Sequence, residues 1–278
     1  MMDIRPVRQD EMPLILGWAR DEGWNPGLDD AAMFHDADPE GFLVGHIRGE
    51  PVAAISVVRQ GTSYGFLGLY IVPPKWRRRG LGLEIWKAGM ERLEGRVVGL
   101  DGVPEQQDNY RLSGFEEAHQ SHRYTGLLPS YMGRANVEPV GHRNLAPALS
   151  FDRKVAGVQR TTYIGRMLTD SVTRRSVAVV DGGVLHGLAT ARFCDTGVKI
   201  GPLLAYDGDV ALQLISGLAP WIGRVPVSID VPSPNHEGVK LVTGLGLKPV
   251  FQTARMYRGP APKADISRCF GIATLELG

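Results

Sequence analysis

Cysteine is almost missing from this sequence. Cys194 and Cys269 are the only two in 278 residues, they lie far apart, and no Cys-x-x-Cys occurs, which excludes a zinc ribbon and a thioredoxin-type motif. Lone buried thiols in a reducing compartment are expected. Long apolar runs are missing too: none approaches the roughly 18–20 residues of a membrane helix. Met1 to Arg8 is polar and charged, and no apolar stretch follows it. No secretory signal is therefore expected, and the chain reads as soluble and cytoplasmic, with no membrane partner. Charge of one sign is also lacking. Lys+Arg number 31 against 30 Asp+Glu, a net charge of +1, which argues against nucleic acid as a bulk partner. His119-x-x-His122 has poor metal spacing, because on a strand an offset of three puts the rings on opposite faces. No third ligand accompanies it, so no metal is expected.

What is present is glycine and a repeat. The 35 glycines and 19 prolines form about a fifth of the chain, below the roughly 25–30% of low-complexity sequence. They punctuate many short elements. Strands are predicted over 3–7, 42–47, 51–59, 64–72 and 96–103, with two more inside 115–128. Helices are predicted over 11–20, 29–35, 81–93 and 105–112. In the third helix, Leu83, Trp86, Met90 and Leu93 form the apolar stripe. Residues 128–136 read as a linker, and beyond them the rhythm returns. Strands are predicted over 137–140, 176–180, 187–193, 198–205, 225–231 and 250–257, and helices over 145–151, 162–168, 210–222 and 235–242. Ile229-Asp230-Val231-Pro232 echoes Leu100-Asp101-Gly102-Val103-Pro104. The fold class is therefore α+β: two copies of one mixed unit, each a mostly antiparallel sheet flanked by helices, over residues 1–130 and 135–278. Residues 261–278 read as an extra tail.

One stretch carries chemistry. Arg77-Arg78-Arg79-Gly80-Leu81-Gly82 lies between an apolar strand and an amphipathic helix. The first amides of a helix lack intrahelical partners and sit at the positive end of its dipole. Glycines at 80 and 82 let a ligand approach them, and arginines add positive charge, which describes a pyrophosphate site. A P-loop would need Gly-Lys-Ser/Thr, which is missing. A dinucleotide fingerprint would need a third glycine where Ile85 stands.

Val72-Pro73-Pro74-Lys75-Trp76-Arg77, Arg77-x-x-Gly80-x-Gly82 and Tyr110-x-x-x-Gly114-Phe115 together resemble the GNAT acyltransferase superfamily, as does the strand order over residues 1–128. The resemblance implies acetyl-CoA as co-substrate. Backbone groups of Tyr70, Ile71 and Val72 would pair with its pantetheine arm. Amides from Arg78, Arg79, Gly80, Leu81 and Gly82 would hold the pyrophosphate, helped by Arg77. Tyr110 would protonate the departing thiolate, a role a phenol can fill within hydrogen-bond reach; its alternative is packing on the sheet. Many members of the superfamily carry a carboxylate on the fourth strand as the base. Tyr64 to Val72 contains none. Asp101 on the next strand is the expected substitute, set against a turn-capping role suggested by Asp230.

The acceptor implied is an amine, on a small molecule or a peptide. Trp24 and Asn25, with Gln106, Gln107 and Asn109, are candidates to line its pocket, or else simply form turns. In the second half, Tyr206-Asp207-Gly208-Asp209-Val210 replaces the arginine loop. Carboxylates there would cap the helix and repel a pyrophosphate, so this half is expected to keep the fold without the CoA site. Direct attack on the acyl group is expected, since no nucleophile stands out. The rival reading is a non-catalytic acyl-CoA sensor. Assembly as a homo-oligomer is left open.

Overall fold

The computed structural model describes residues 2–130, 132–133 and 135–278. The first half runs β1 (Asp3–Pro6), α1 (Met12–Asp21), α2 (Asp30–Ala37), β2 (Phe42–Ile47), β3 (Glu50–Gln60), β4 (Tyr64–Ile71), α3 (Leu81–Arg92), β5 (Val97–Gly102), α4 (Gln107–Leu112) and β6 (Glu116–Gly126). The second half repeats the plan. It runs β7 (Glu138–Pro139), α5 (Leu145–Ala156), α6 (Thr161–Met167), β8 (Arg174–Asp181), β9 (Val184–Phe193), β10 (Val198–Ala205), α7 (Gly208–Ile222), β11 (Val227–Pro232), α8 (His236–Gly244), β12 (Lys248–Arg258) and a short β13 (Cys269–Gly271). The linker expected over 128–136 includes Tyr131 and Arg134, which lie outside the described residues.

Local sequence accounts for the helices. In α1, Met12, Ile15, Leu16 and Ala19 are buried at helical spacing, and a proline stands in its first turn. In α3 the buried residues are Leu81, Ile85 and Gly89. Of the expected stripe, Leu93 is buried and Trp86 and Met90 pack against the same core, but Leu83 is 59% exposed. Gly89 explains the difference: a β-carbon there would lie 2.9 Å from Val57, so the bare backbone lets the helix settle on β3.

The two halves share one sheet, in the order β1-β2-β3-β4-β5-β12-β6-β11-β10-β9-β8-β7. Their closing strands are exchanged. β12, from the second half, pairs with β5 of the first. β6, a single strand where two were expected, pairs with β11 of the second. An equivalent ion pair clamps each exchange. Arg255 of β12 stands opposite Asp101 of β5 and donates to its two oxygens at 2.8 and 2.7 Å. Arg123 of β6 stands opposite Asp230 of β11 and donates at 2.8 and 2.9 Å. The echo of Asp101 in Asp230 is the trace of this clamp. On one face of the sheet, α1, α2, α5 and α6 from both halves bury a common core, with Phe34 set edge-on to Tyr163 at 6.3 Å.

The sheet forks in both halves. β4 and β5 run parallel and pair from Tyr64–Val97 to Leu67–Leu100 only. β10 and β11 pair only at Val198–Val227 and Lys199–Ser228. In the second fork the chain fills the gap itself: β13 pairs with β10, and the Ile272 amide donates to the Asp230 carbonyl at 2.9 Å. The tail is therefore not an appendage. It continues across to the first half, where Gln60 Nε2 donates to the Leu277 carbonyl at 2.7 Å, while Arg160 of the second half donates to the carbonyl of Gly278.

Candidate active site

The first fork stays open and leads into a cavity of about 550 Å³. On β4 the register shifts between its pairings with Ala54 and Ser56, and Leu69 takes φ 44°. A leucine in the left-handed region is strained, and such strain concentrates at functional sites. The bulge turns Gly68 to Val72 along the cavity wall. Tyr70, Ile71 and Val72 all line it.

Below them the arginine loop leads into α3. Gly80 is its N-cap at φ 79°, and a β-carbon there would meet nothing within 4 Å. Arg78 is also left-handed, at φ 61°. Among the described residues, the amides of Arg78, Arg79 and Gly80 make no backbone hydrogen bond outside the helix. Those of Leu81 and Gly82 belong to the unpaired first turn. An open cradle of free amides at a helix N-terminus suits a diphosphate. The equivalent helix end in the second half is closed: the Val210 amide donates to Asp207 at 2.9 Å and the Gly208 amide to Glu237 at 3.0 Å.

The other loop residues have more particular positions. Arg77 is tied to the Val72 carbonyl at 2.8 Å and to the Glu22 carboxylate. Arg79 lies over the Trp76 ring at 4.8 Å and does not line the cavity. Gly82 is needed for a different reason from Gly80, because a β-carbon there would lie 2.7 Å from the Tyr70 hydroxyl. The glycine lets α3 approach β4.

Tyr110 lines the cavity from α4. Its ring stacks on Trp86 at 5.6 Å and meets Phe115 edge-on at 6.3 Å. Gly102 makes room, since a β-carbon there would come within 2.9 Å of the ring. Burial raises the pKa of its hydroxyl, which keeps the proton in place near neutrality. Among the described residues that hydroxyl has no hydrogen-bond partner.

Asp101 also borders the cavity, but both its oxygens are taken by Arg255. Burial disfavours the Arg255 charge, and the Asp101 carboxylate outweighs it, holding the guanidinium well above its ordinary value. A carboxylate engaged in this way anchors a strand. Of the expected pocket residues, Trp24 and Gln106 line the cavity. Asn25, Gln107 and Asn109 do not. Asn25 bonds both backbone groups of Thr196, Gln107 donates to the Gly102 carbonyl at 3.1 Å, and Asn109 donates to Gln106 at 2.9 Å. They bridge turns.

Sequence reasoning missed the second half's share of this wall. Phe251 and Thr253 reach it on the exchanged strand, and Leu275 and Glu276 on the tail. Periodicity carried no signal for them, because it does not say which strand pairs with which. The two thiols stand apart from the cavity lining, and burial raises the pKa of both, that of Cys269 to about 11. Neither is a ready nucleophile. Among the described residues, no cluster of His, Cys, Asp or Glu could hold a metal ion, and no helix is long and apolar enough to cross a membrane.

Residues 9–115 match the acetyltransferase (GNAT) family, and residues 148–271 match an acetyltransferase (GNAT) domain. The chain is 30% identical over 276 residues to the holothin acyltransferase of Pseudoalteromonas sp. (strain SANK 73390), covering 99% of this chain and 94% of that protein. Its fold resembles a putative acetyltransferase from Pyrococcus horikoshii, with TM-score 0.85 and 20% identity over 100% of this chain and 96% of the other. It also resembles a tandem GNAT protein from the clavulanic acid biosynthesis pathway, with TM-score 0.65 and 15% identity over 94% and 99% of the two chains. With one matching region in each half and a relative alike along nearly its whole length, the chain belongs to the GNAT acetyltransferase family.

Proposed function

We propose that the protein is an acetyl-CoA-dependent N-acyltransferase with one active site, in residues 1–130. Residues 135–278 then form a second unit that binds no CoA and completes the acceptor wall. The contrast between the forks carries this reading: the chain fills one with β13 and leaves the matching one open beside free helix amides. Bound acetyl-CoA would supply an activated thioester carbonyl. The amides of Arg78 to Gly82 would hold its diphosphate, and the backbone of Tyr70 to Val72 its amide-bearing arm. Tyr110 holds a proton at its hydroxyl for the leaving sulfur. Trp24 and Gln106, with Phe251 from the second half, would receive an amine.

The relative's name makes holothin one acceptor to try. A panel of holothin, phenethylamine, spermidine and a short peptide with a free N-terminus, incubated with acetyl-CoA, is read by release of free thiol. Accelerated release by at least one amine is expected. Tight acetyl-CoA binding without stimulation by any of them would favour a sensor.

A further inference from the structure

An amine near neutral pH arrives as an ammonium ion, and its nitrogen cannot attack a thioester until a proton leaves. β4 offers no carboxylate. Four carboxylates border the cavity: Glu22, Asp101, Glu105 and Glu276. Glu22 is bound to Arg77, Asp101 is held by Arg255, and Glu105 is exposed at the rim. Glu276 is different. It is 4% exposed, and among the described residues its side chain accepts no hydrogen bond. Its ion-pair partner is Lys199, at 3.9 Å, whose ammonium already donates to the Trp24 carbonyl at 2.8 Å.

The fold is built to put this residue there. Gly68 lies on β4 at the mouth of the fork, and a β-carbon on it would overlap the Glu276 carbonyl oxygen. The missing side chain on β4 is the space in which the tail lies. Buried groups hold that tail on either side of Glu276. Arg192 donates to the Ala273 carbonyl at 3.2 Å, Tyr163 to Thr274 Oγ1 at 2.9 Å, and Gln60 to the Leu277 carbonyl.

We infer that Glu276, from the last residues of the second half, is the proton acceptor for the amine in the first half's active site. This rests on the acyltransfer reading above. The ammonium gives one proton to the Glu276 carboxylate. The freed nitrogen lone pair forms the C–N bond as the C–S bond breaks. The sulfur leaves with the Tyr110 proton, the nitrogen's surplus proton returns to the Tyr110 oxygen, and the proton on Glu276 passes to water. One amide, one thiol and one proton result. The charged groups around Glu276 are Lys199, Arg123 and Asp101.

The test compares wild type with Glu276→Gln, which keeps the shape, and Glu276→Asp, which keeps the charge. Acetyl-CoA affinity, measured by calorimetry well below the melting temperature, is expected to stay within twofold in both; the Gln variant, which leaves the buried Lys199 ammonium unpaired, is expected to melt lower than wild type, and the Asp variant closer to it. With the best panel amine, kcat/KM is expected to fall by about 10²–10⁴ in the Gln variant and recover at least tenfold in the Asp variant. The Gln variant is also expected to regain rate as pH rises and free amine accumulates. Without any thioester, phenethylamine binding to the Gln variant is expected to weaken at least tenfold. Turnover within threefold of wild type, or phenethylamine affinity that is equal in both or absent from both, overturns the assignment. If wild type binds acetyl-CoA but acetylates no amine, the acyltransfer reading itself fails, which is a distinct result.

Discussion

Replacing Asp101 with Asn separates a strand anchor from a catalytic base. The side chain is fully buried, and each oxygen accepts from Arg255, at 2.8 and 2.7 Å. Asn removes the charge and leaves a buried guanidinium unpaired. Breaking a buried pair from one side costs about 3–5 kcal/mol. At roughly 2–4 °C per kcal/mol for a chain of this size, the melting temperature is expected to fall by about 6–20 °C. Asp230→Asn is expected to match it, because Arg123 holds Asp230 in the same way. The double variant Asp101→Leu/Arg255→Met is expected to regain most of the loss, since apolar replacement of a whole buried pair is often neutral. Denaturation followed by tryptophan fluorescence gives the stability. Turnover, measured well below the melting temperature, is expected to remain within about threefold of wild type, because a positioned base contributes about 10²–10⁴. A loss of stability under 1 kcal/mol together with a hundredfold loss of turnover would refute the clamp and restore Asp101 as the base.

Gly82→Glu places a carboxylate among the helix amides and a β-carbon 2.7 Å from the Tyr70 hydroxyl; acetyl-CoA affinity is expected to drop at least a hundredfold by calorimetry, with the circular dichroism spectrum unchanged. Tyr110→Phe keeps the ring stack on Trp86, so acetyl-CoA affinity is expected to hold while turnover falls about a hundredfold. His119 is held to a pKa of about 4, first by burial and then by the Arg255 charge. Between that value and its ordinary 6.5 the unfolded chain binds the extra proton, so stability is full above pH 6.5 and declines as pH falls toward 4. His119→Asn is expected to flatten that decline, worth about 1–2 kcal/mol at pH 5, in urea melts at pH 7 and 5.

The arginine loop, the glycines and the repeat were legible because each depends on local chemistry: a helix end, a left-handed turn, a recurring strand–helix rhythm. The exchange of β6 and β12 was not. Both strands suit either slot, and Arg123 and Arg255 meet equivalent aspartates, so composition and period leave the partner undetermined. In α3 only Leu83 was misplaced, because Gly89 packs through an absent side chain, which hydrophobic pattern cannot register. Asp101 read as a candidate base because its partner lies 154 residues away. Glu276 was hidden for a like reason. Its segment has little periodicity, and the vacancy that receives it is a glycine on another strand, Gly68.

A crystal structure of the protein grown with acetyl-CoA bears most directly on the single-site reading. One molecule per chain is expected, its diphosphate on the amides of Arg78 to Gly82 and its arm in the fork between β4 and β5, with β13 still filling the other fork. A molecule seated on Asp207 to Val210, or one displacing β13 from between β10 and β11, would contradict it.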